Sequence, residues 1–588
     1  MTSPAGPAQS EGDVNHTLLR AKWQSEHLDP ATRALLDRDS AAFLHQSLST
    51  PCLNAIRKAE GIFIEDMAGR RYMDFHGNNV HHVGYAHPHV LAAIKAQLDA
   101  LSFAPRRFAS ERAVELAEAL GSRFMALTGS AGKVLFTTGG SDAVEVAIKI
   151  ARIATGRSKL LSFWDSFHGA SLGASSVGGE SLFRASRAVG TLLPGTEHVA
   201  PFGCYRCPYG HSVNADGQPN LDLCKLSCAS MLRYVLEREG DVAAVIAEPA
   251  RAVPFIPPPG YWQAVRQACT DAGALLIFDE IPTGLGKTGR FFAAEHDAAA
   301  PDIVVLGKAL GGGVLPIAAC IARADLDLAG AYAFGHYTHE KNPVTAAAAL
   351  ATLEVIEREQ LVENSAKVGA YALQRLQEMK RRQPLIGDVR GRGLLLGIEL
   401  VRDRDSKAPA PQAAERVLYA ALSRGLSFKT TQGNVLTWTP PLIVTMAQME
   451  QALEILEECL SAMAAGGDEE GFAFSLWKPG SPSAGLMFAA GCLQAWSRGR
   501  WPGARSPAHA RGAPFPVRRR RAINSVCSCD GRGHREWCLR PCPKPPARAP
   551  GWHAKAWHAT PDASGRWWCP RAQARFAVAP HACRARRC

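Results

Sequence analysis

Four segments of the chain put reactive or ligand-binding side chains where an apolar run gives way to a loop. In Thr137-Thr138-Gly139-Gly140-Ser141-Asp142, two glycines let the backbone approach a ligand. The helical stretch that follows offers free N–H groups and a partial positive charge, which together make a phosphate cradle. Gly-Gly-Ser-Asp is also an ordinary turn with a helix N-cap. In LLIFDE, Asp279 ends an apolar run. In a crevice with little water such a carboxylate needs a cationic partner, although taken alone it reads better as a loop or N-cap residue. In DIVVLGKALGGG, Lys308 follows an apolar run and precedes three glycines. Desolvation there lowers the pKa of a lysine and makes its amine a nucleophile. Its neighbours offer no polar face for a surface lysine. In Ser166-Phe167-His168-Gly169, Phe167 can stack on a planar ring, although a core position is the commoner fate of phenylalanine.

An anion cradle, a carboxylate, a stacking aromatic and an activated lysine are the partners of pyridoxal 5'-phosphate. The carboxylate keeps the ring nitrogen protonated, so the ring accepts electrons when a substrate bond breaks. The lysine forms a Schiff base and then serves as a mobile acid and base. Gly286-Lys287-Thr288 resembles the end of a P-loop, but the first glycine of that pattern would be Ile281, so the motif fails.

The elements that must position these groups read as strand, short loop and helix in alternation. KVLFTTGG leads into SDAVEVAIKIARIA, and KLLSFWDSFHG follows. VAAVIAEP precedes YWQAVRQACTDAG, and ALLIFDE, DIVVLGK and VLPIAACIA come next. Continuous apolar strands between helices predict a mostly parallel, doubly covered sheet, whose ligands bind beyond the strands' carboxyl ends. Residues 15–50 read as amphipathic helices. GIFIED and RRYMDF read as a hairpin with Gly69 in the turn. From about residue 345 helices dominate, with GLLLGIELV and LTWTPPLIV as late strands. The expected organisation is an N-terminal segment (1–87) that contributes to a small domain, a large cofactor-binding domain (88–335), a C-terminal small domain (336–464) and a tail (465–588).

The chain has 588 residues and a net charge of +12, which misleads as a whole-chain number. Residues 471–588 hold 21 basic and 3 acidic residues, which leaves 45 basic and 51 acidic ones in 1–470. The tail also holds eight of the twelve tryptophans and eight of the sixteen cysteines. Such a stretch can serve as a nucleic-acid arm, which would bind with a steep salt dependence. It can also hold a metal through Cys527, Cys529, His534, Cys538 and Cys542. We read it instead as disordered or as an out-of-frame product of GC-rich DNA, so nucleic acid is not the expected partner. Cys204-x2-Cys207 and Cys224-x3-Cys228 have near-zinc spacing, weighed against four reduced thiols in an insertion. No metal is expected. No run of 18 apolar residues exists and the N-terminus is polar, so we expect no membrane span, no secretory signal and a cytoplasmic location.

From about residue 61 to 460 the sequence resembles the class III pyridoxal-phosphate aminotransferase family. The resemblance implies an α/β, type I PLP-dependent transferase fold: a large, doubly wound, mostly parallel sheet domain plus a smaller α+β domain. It further implies a homodimer with shared active sites. Position by position, Gly140 and Ser141 match the phosphate binders, Phe167, with His168 beside it, the ring-stacking position, and Ile281 the other ring face. Glu248 matches the active-site Glu, Asp279 the ring-nitrogen partner and Lys308 the Schiff-base lysine. Thr338 matches the threonine that reaches the phosphate from the other subunit.

Four positions depart from the family. Pro282 stands where a Gln bonds the cofactor's phenolic oxygen, and Glu340 and Lys341 replace two glycines. Thr437 stands where many members carry an Arg that clamps a carboxylate. Asn78-Asn79-Val80-His81-His82-Val83-Gly84 with His87-Pro88 resembles the phospho-lyase and 1-hydroxy-2-aminoethylphosphonate ammonia-lyase branch. Those enzymes eliminate a β-substituent and release ammonia. Asn78, Arg106 and Arg107 are then candidates for binding substrate, the arginines for a phosphonate or phosphate; apart from the resemblance, two solvated arginines in a surface turn are an equal alternative. The expected activity is elimination of ammonia from a small primary amine. The alternative is transfer of the amino group to pyruvate or 2-oxoglutarate.

Overall fold

The computed structural model describes residues 15–184, 192–214 and 218–465, together with Trp567–Trp568 and Arg575–Phe576. The chain divides into two compact units, Met1–Gly480 and Ser481–Cys588. In the second, the two dipeptides pair antiparallel, Trp567 opposite Phe576. The cysteine and histidine cluster of 527–542 and the arginine run of 518–521 lie outside the described residues.

In the first unit, helices Leu18–His27 and Pro30–Ala42 precede strands β1 (Ile56–Glu60), β2 (Phe63–Asp66) and β3 (Arg71–Asp74). β2 and β3 form the expected hairpin, with Gly69 at φ +85° in its turn. Then come β4 (Gly132–Thr137), β5 (Lys159–Phe163), β6 (Thr196–Val199), β7 (Val242–Ala247), β8 (Leu275–Asp279), β9 (Ile303–Leu306) and β10 (Ala318–Arg323). These seven make one sheet in the order β4-β10-β9-β8-β7-β5-β6. Only β10 runs against the others. Every residue of β7 and of β9 is buried, as strands covered on both faces must be. Helix Gly140–Thr155 covers one face with Val144, Ala147, Ile148 and Ala151. It ends at Gly156, whose φ of +66° forms a left-handed C-cap.

The remaining strands are β11 (Ile386–Arg392), β12 (Leu395–Asp403), β13 (Ala408–Pro409), β14 (Leu426–Ser427), β15 (Lys429–Thr431) and β16 (Val435–Trp438). β11, β12, β16 and β15 form an antiparallel sheet, with β13 on β12, while β14 pairs in parallel with β3. The N-terminal strands therefore share a sheet with a strand some 350 residues later. β16 is shorter than LTWTPPLIV suggests, because Pro440 and Pro441 lack the N–H a ladder needs. We propose boundaries at 87/88 and 335/336 for the domains within this unit. Among the described residues, no helix is long and apolar enough to cross a membrane.

Candidate active site

Because β4, β5, β7, β8 and β9 run the same way, their carboxyl ends lie along one edge. That edge carries Gly139-Gly140-Ser141 after β4, Ser166-Phe167-His168-Gly169 after β5, Glu248 after β7, Asp279 at the end of β8 and Lys308 after β9. Parallel strand direction alone thus gathers residues scattered over 170 positions of sequence.

The contacts draw the edge into one site. Helix Gly140–Thr155 starts there with no side-chain cap, so its first N–H groups face the edge. A Cβ on Gly140 would stand 2.6 Å from Cδ1 of Ile281, and one on Gly169 would stand 2.3 Å from Oγ of Ser141. Both glycines are needed for close approach. The Ala170 N–H donates to Oγ of Ser141 (3.1 Å). Ile281 also lies against Gly307, which precedes Lys308. Lys308 is half-buried, begins a short 3-10 turn and adopts φ +44°, a conformation that non-glycine residues rarely hold.

Asp279 is 2% exposed. Its Oδ2 pairs with Nδ1 of His168 (2.8 Å), and its Oδ1 accepts from the Ile281 N–H (3.1 Å). Strand alternation sends Glu280 the other way, where its carboxylate accepts from the N–H groups of Ala293 (2.7 Å) and Ala294 (2.9 Å). Burial pushes Glu280 up to about 8. Glu248 is also buried; Ala252 donates to its Oε2 (2.8 Å). Burial raises its pKa, opposed by Arg251 and then by His168. Phe167 is half-buried beside Phe183, with ring centroids 4.5 Å apart, rather than deep in the core.

These residues fit pyridoxal 5'-phosphate. The helix start is uncapped, and the glycines keep its approach open. His168 pairs through Nδ1 with the Asp279 carboxylate, which retains lone pairs, while its Nε2 is buried without a partner.

The Asn-Asn-Val segment forms one wall. Gly77, Asn78 and Asn79 all have positive φ (43°, 46° and 59°), held by Asp74, whose Oδ1 accepts from the His76 and Gly77 N–H groups (3.0 Å each). Asn78 is exposed, whereas Asn79 is buried with an unpartnered Oδ1, a residue that sequence reading passed over for its neighbour. Burial, then the Lys429 ammonium, push His76 down to about 3, with Lys308 a lesser contributor. This wall therefore lies in the field of both lysines. Lys429 was not anticipated. It sits on β15 directly opposite Thr437 of β16 and is 7% exposed.

Thr338 is exposed within this chain, and its neighbour Tyr337 bonds the Asp142 carbonyl (3.4 Å) on helix Gly140–Thr155. Arg107 is exposed and Arg106 half-buried with an unpartnered Nη1. Their loop meets the Thr338 segment through Phe103 on His339 (5.3 Å). Cys204, Cys207, Cys224 and Cys228 line one cavity of about 30 Å³. Burial and then the neighbouring thiols push Cys204 up to about 12, so it is protonated. Among the described residues no group of three or more His, Cys, Asp or Glu is arranged to hold a metal ion.

Lys287 is fully buried, its Nζ donating to the carbonyls of Pro440 (2.6 Å) and Thr439 (3.3 Å). Burial pushes it down to about 7 from 10.5. Between those values the unfolded chain holds a proton there that the folded chain releases, so stability rises with pH across the window. In Lys287→Met that rise should be missing. Melting temperatures measured from pH 6.5 to 10 check this, and parallel curves for the two proteins would refute it.

A parallel sheet with a cofactor edge of this composition defines a fold type I enzyme. Residues 45–460 match the family described as aminotransferase class-III, and the chain belongs to that family, as a pyridoxal-phosphate-dependent enzyme. It is 45% identical to the (R)-1-hydroxy-2-aminoethylphosphonate ammonia-lyase of Vibrio splendidus, over 77% of this chain and 95% of that one. It is 36% identical to the leucine/methionine racemase of Thermococcus litoralis, over 74% and 97%. Among solved structures, an amine transaminase from an uncultivated Pseudomonas species, in PLP-bound form, shares 31% identity at a TM-score of 0.66. That match covers 72% of this chain and 98% of the other.

Proposed function

We propose that the chain releases ammonia from a small primary amine bearing a phosphonate, of the 1-hydroxy-2-aminoethylphosphonate type. The observation that carries this is the Thr437 position. Its hydroxyl is bonded to Thr431 (2.8 Å) where a carboxylate-clamping arginine would stand, and the cation opposite it is Lys429. An ammonium point charge suits the oxygens of a phosphonate and lacks the planar fork that selects a carboxylate. The 45% identity to an ammonia-lyase for such a compound supports the same reading.

Bound pyridoxal 5'-phosphate supplies the electron sink that lets a proton leave the amine-bearing carbon. Lys308 holds the cofactor and moves that proton. Asp279, oriented by Nδ1 of His168, keeps negative charge at the ring nitrogen. Gly140 and Ser141 take the cofactor phosphate, and Phe167 and Ile281 cover the ring faces. The hydroxyl on the neighbouring carbon leaves and water returns, so the amine carbon becomes an aldehyde and ammonia departs. No 2-oxo acid takes part. The enzyme acts in the cytoplasm as a homodimer in which exposed Thr338, with Asn78, Arg106 and Arg107, completes the shared sites.

Purified holoenzyme incubated with 1-hydroxy-2-aminoethylphosphonate tests this. Ammonia release without a 2-oxo acid is expected. Strict dependence on pyruvate or 2-oxoglutarate would assign the transaminase activity instead. Lys429→Met should raise KM for the phosphonate about 10- to 100-fold with a smaller change in kcat. An unchanged KM would remove Lys429 from the site.

A further inference from the structure

Arg251 follows Glu248 by three residues, in the turn after β7, and is 3% exposed. Its Nη2 donates to the Asp165 carbonyl, and its guanidinium lies 5.1 Å from the centroid of the Phe255 ring. Its Nε and Nη1 are buried and have no hydrogen-bond partner. Arg390 approaches the same ring (4.6 Å) but forms ion pairs with Asp388 and Glu399. Arg251 forms no ion pair with a carboxylate among the described residues. The Glu248 carboxylate shares its field with Arg251 but makes no ion pair with it, so neither it, the carbonyl nor the ring face meets the two open donors of a guanidinium taken out of water. The missing partner is an anion.

The position says which anion. Asp165, which Arg251 holds, is two residues before Phe167. Glu248 lies in the electrostatic field of Arg251 and, more weakly, of His168 and Asp279. Arg251 thus stands at the cofactor edge of the large sheet. Its turn also meets the small sheet: a Cβ on Gly397 would stand 2.9 Å from Pro254, and Gly397 is opposite Thr437, which is opposite Lys429. The turn bearing Arg251 and the strand bearing Lys429 therefore approach Thr437 from two sides. The cofactor phosphate belongs to the helix start at Gly140, on another strand end.

We infer that Arg251 is the second cation of the substrate's anion subsite, donating from Nε and Nη1 to oxygens that Lys429 also faces. The inference rests on the proposed function only in naming that anion a phosphonate.

The test is titration of the holoenzyme with methylphosphonate and, separately, with acetate, followed by calorimetry. Arg251→Met should weaken methylphosphonate binding about 10- to 100-fold, and Arg251→Lys, which keeps the charge, less. Cofactor absorbance near about 410 nm should persist in Arg251→Lys, which shows that the fold and cofactor site are intact. If both variants bind methylphosphonate as the wild type does, or if the wild type binds neither anion, Arg251 is not a substrate-anion ligand. If the wild type binds acetate alone and Arg251→Met loses it, Arg251 stands and the phosphonate reading falls. The same division holds if methylphosphonate binding depends on Arg251 but the wild type releases no ammonia.

Discussion

Lys308→Ala should lose activity by a factor of about 10⁴ or more, together with its absorbance near about 410 nm. Among the described residues, neither of the other buried lysines can substitute. Lys287 is committed to two carbonyls, and Lys429 lies on a strand of the other sheet. The backbone matters as well. Lys308 holds φ +44° after an extended Gly307, at the start of the turn that follows β9. Alanine meets the same backbone penalty, so the substitution removes the amine without relieving the strain. Lys308→Arg keeps the charge but cannot condense with an aldehyde, and it should be as inactive. Single-turnover ammonia release and the visible spectrum of each variant are the measurements. Activity above about 1% of wild type in Lys308→Ala would refute the assignment.

Asp279→Asn should lower kcat by about 10²- to 10⁴-fold with little change in the melting temperature. The amide oxygen can still accept from the Ile281 N–H, and the amide N–H can donate to Nδ1 of His168 in its other tautomer, so the packing survives. The negative charge does not, and a ring nitrogen next to an amide loses its reason to stay protonated. Asp279→Ala should be no more active and less stable, because it leaves a buried imidazole N–H unpaired. By contrast Glu280→Gln should spare kcat, since the Glu280 carboxylate faces the backbone of Ala293 and Ala294 and not the edge. Steady-state rates for the three variants separate these outcomes. An Asp279→Asn enzyme within tenfold of wild type would show that the two carboxylates have been assigned the wrong way round.

Much of the site was legible because its signals are local. An apolar run that ends in Asp, Lys or Gly-Gly-Ser marks the carboxyl end of a buried strand, and only ligand chemistry or a cap gives a polar group reason to stand there. The sequence could not tell whether Phe167 is core or site. That depends on what lies above it, and the half-buried ring beside Phe183 is a tertiary fact. The cations were harder. Arg106 and Arg107 attracted notice as an adjacent pair, yet their loop leads to the Thr338 segment. Arg251 and Lys429 are single basic residues in unremarkable surroundings. Each becomes significant only through what accompanies it after folding: an unmet pair of donors on Arg251, and the uncharged Thr437 across the strand from Lys429.

The amino-acid order by itself determined the strand and helix pattern, the cradle, the carboxylate and the lysine, since hydrophobic periodicity and its interruptions act over a few residues. The tertiary structure decided which carboxylate faces the edge, that His168 pairs with it, and that Lys429 stands opposite Thr437. Those depend on strand direction, on pairing register and on burial, and each of these is set by chain segments more than a hundred positions apart.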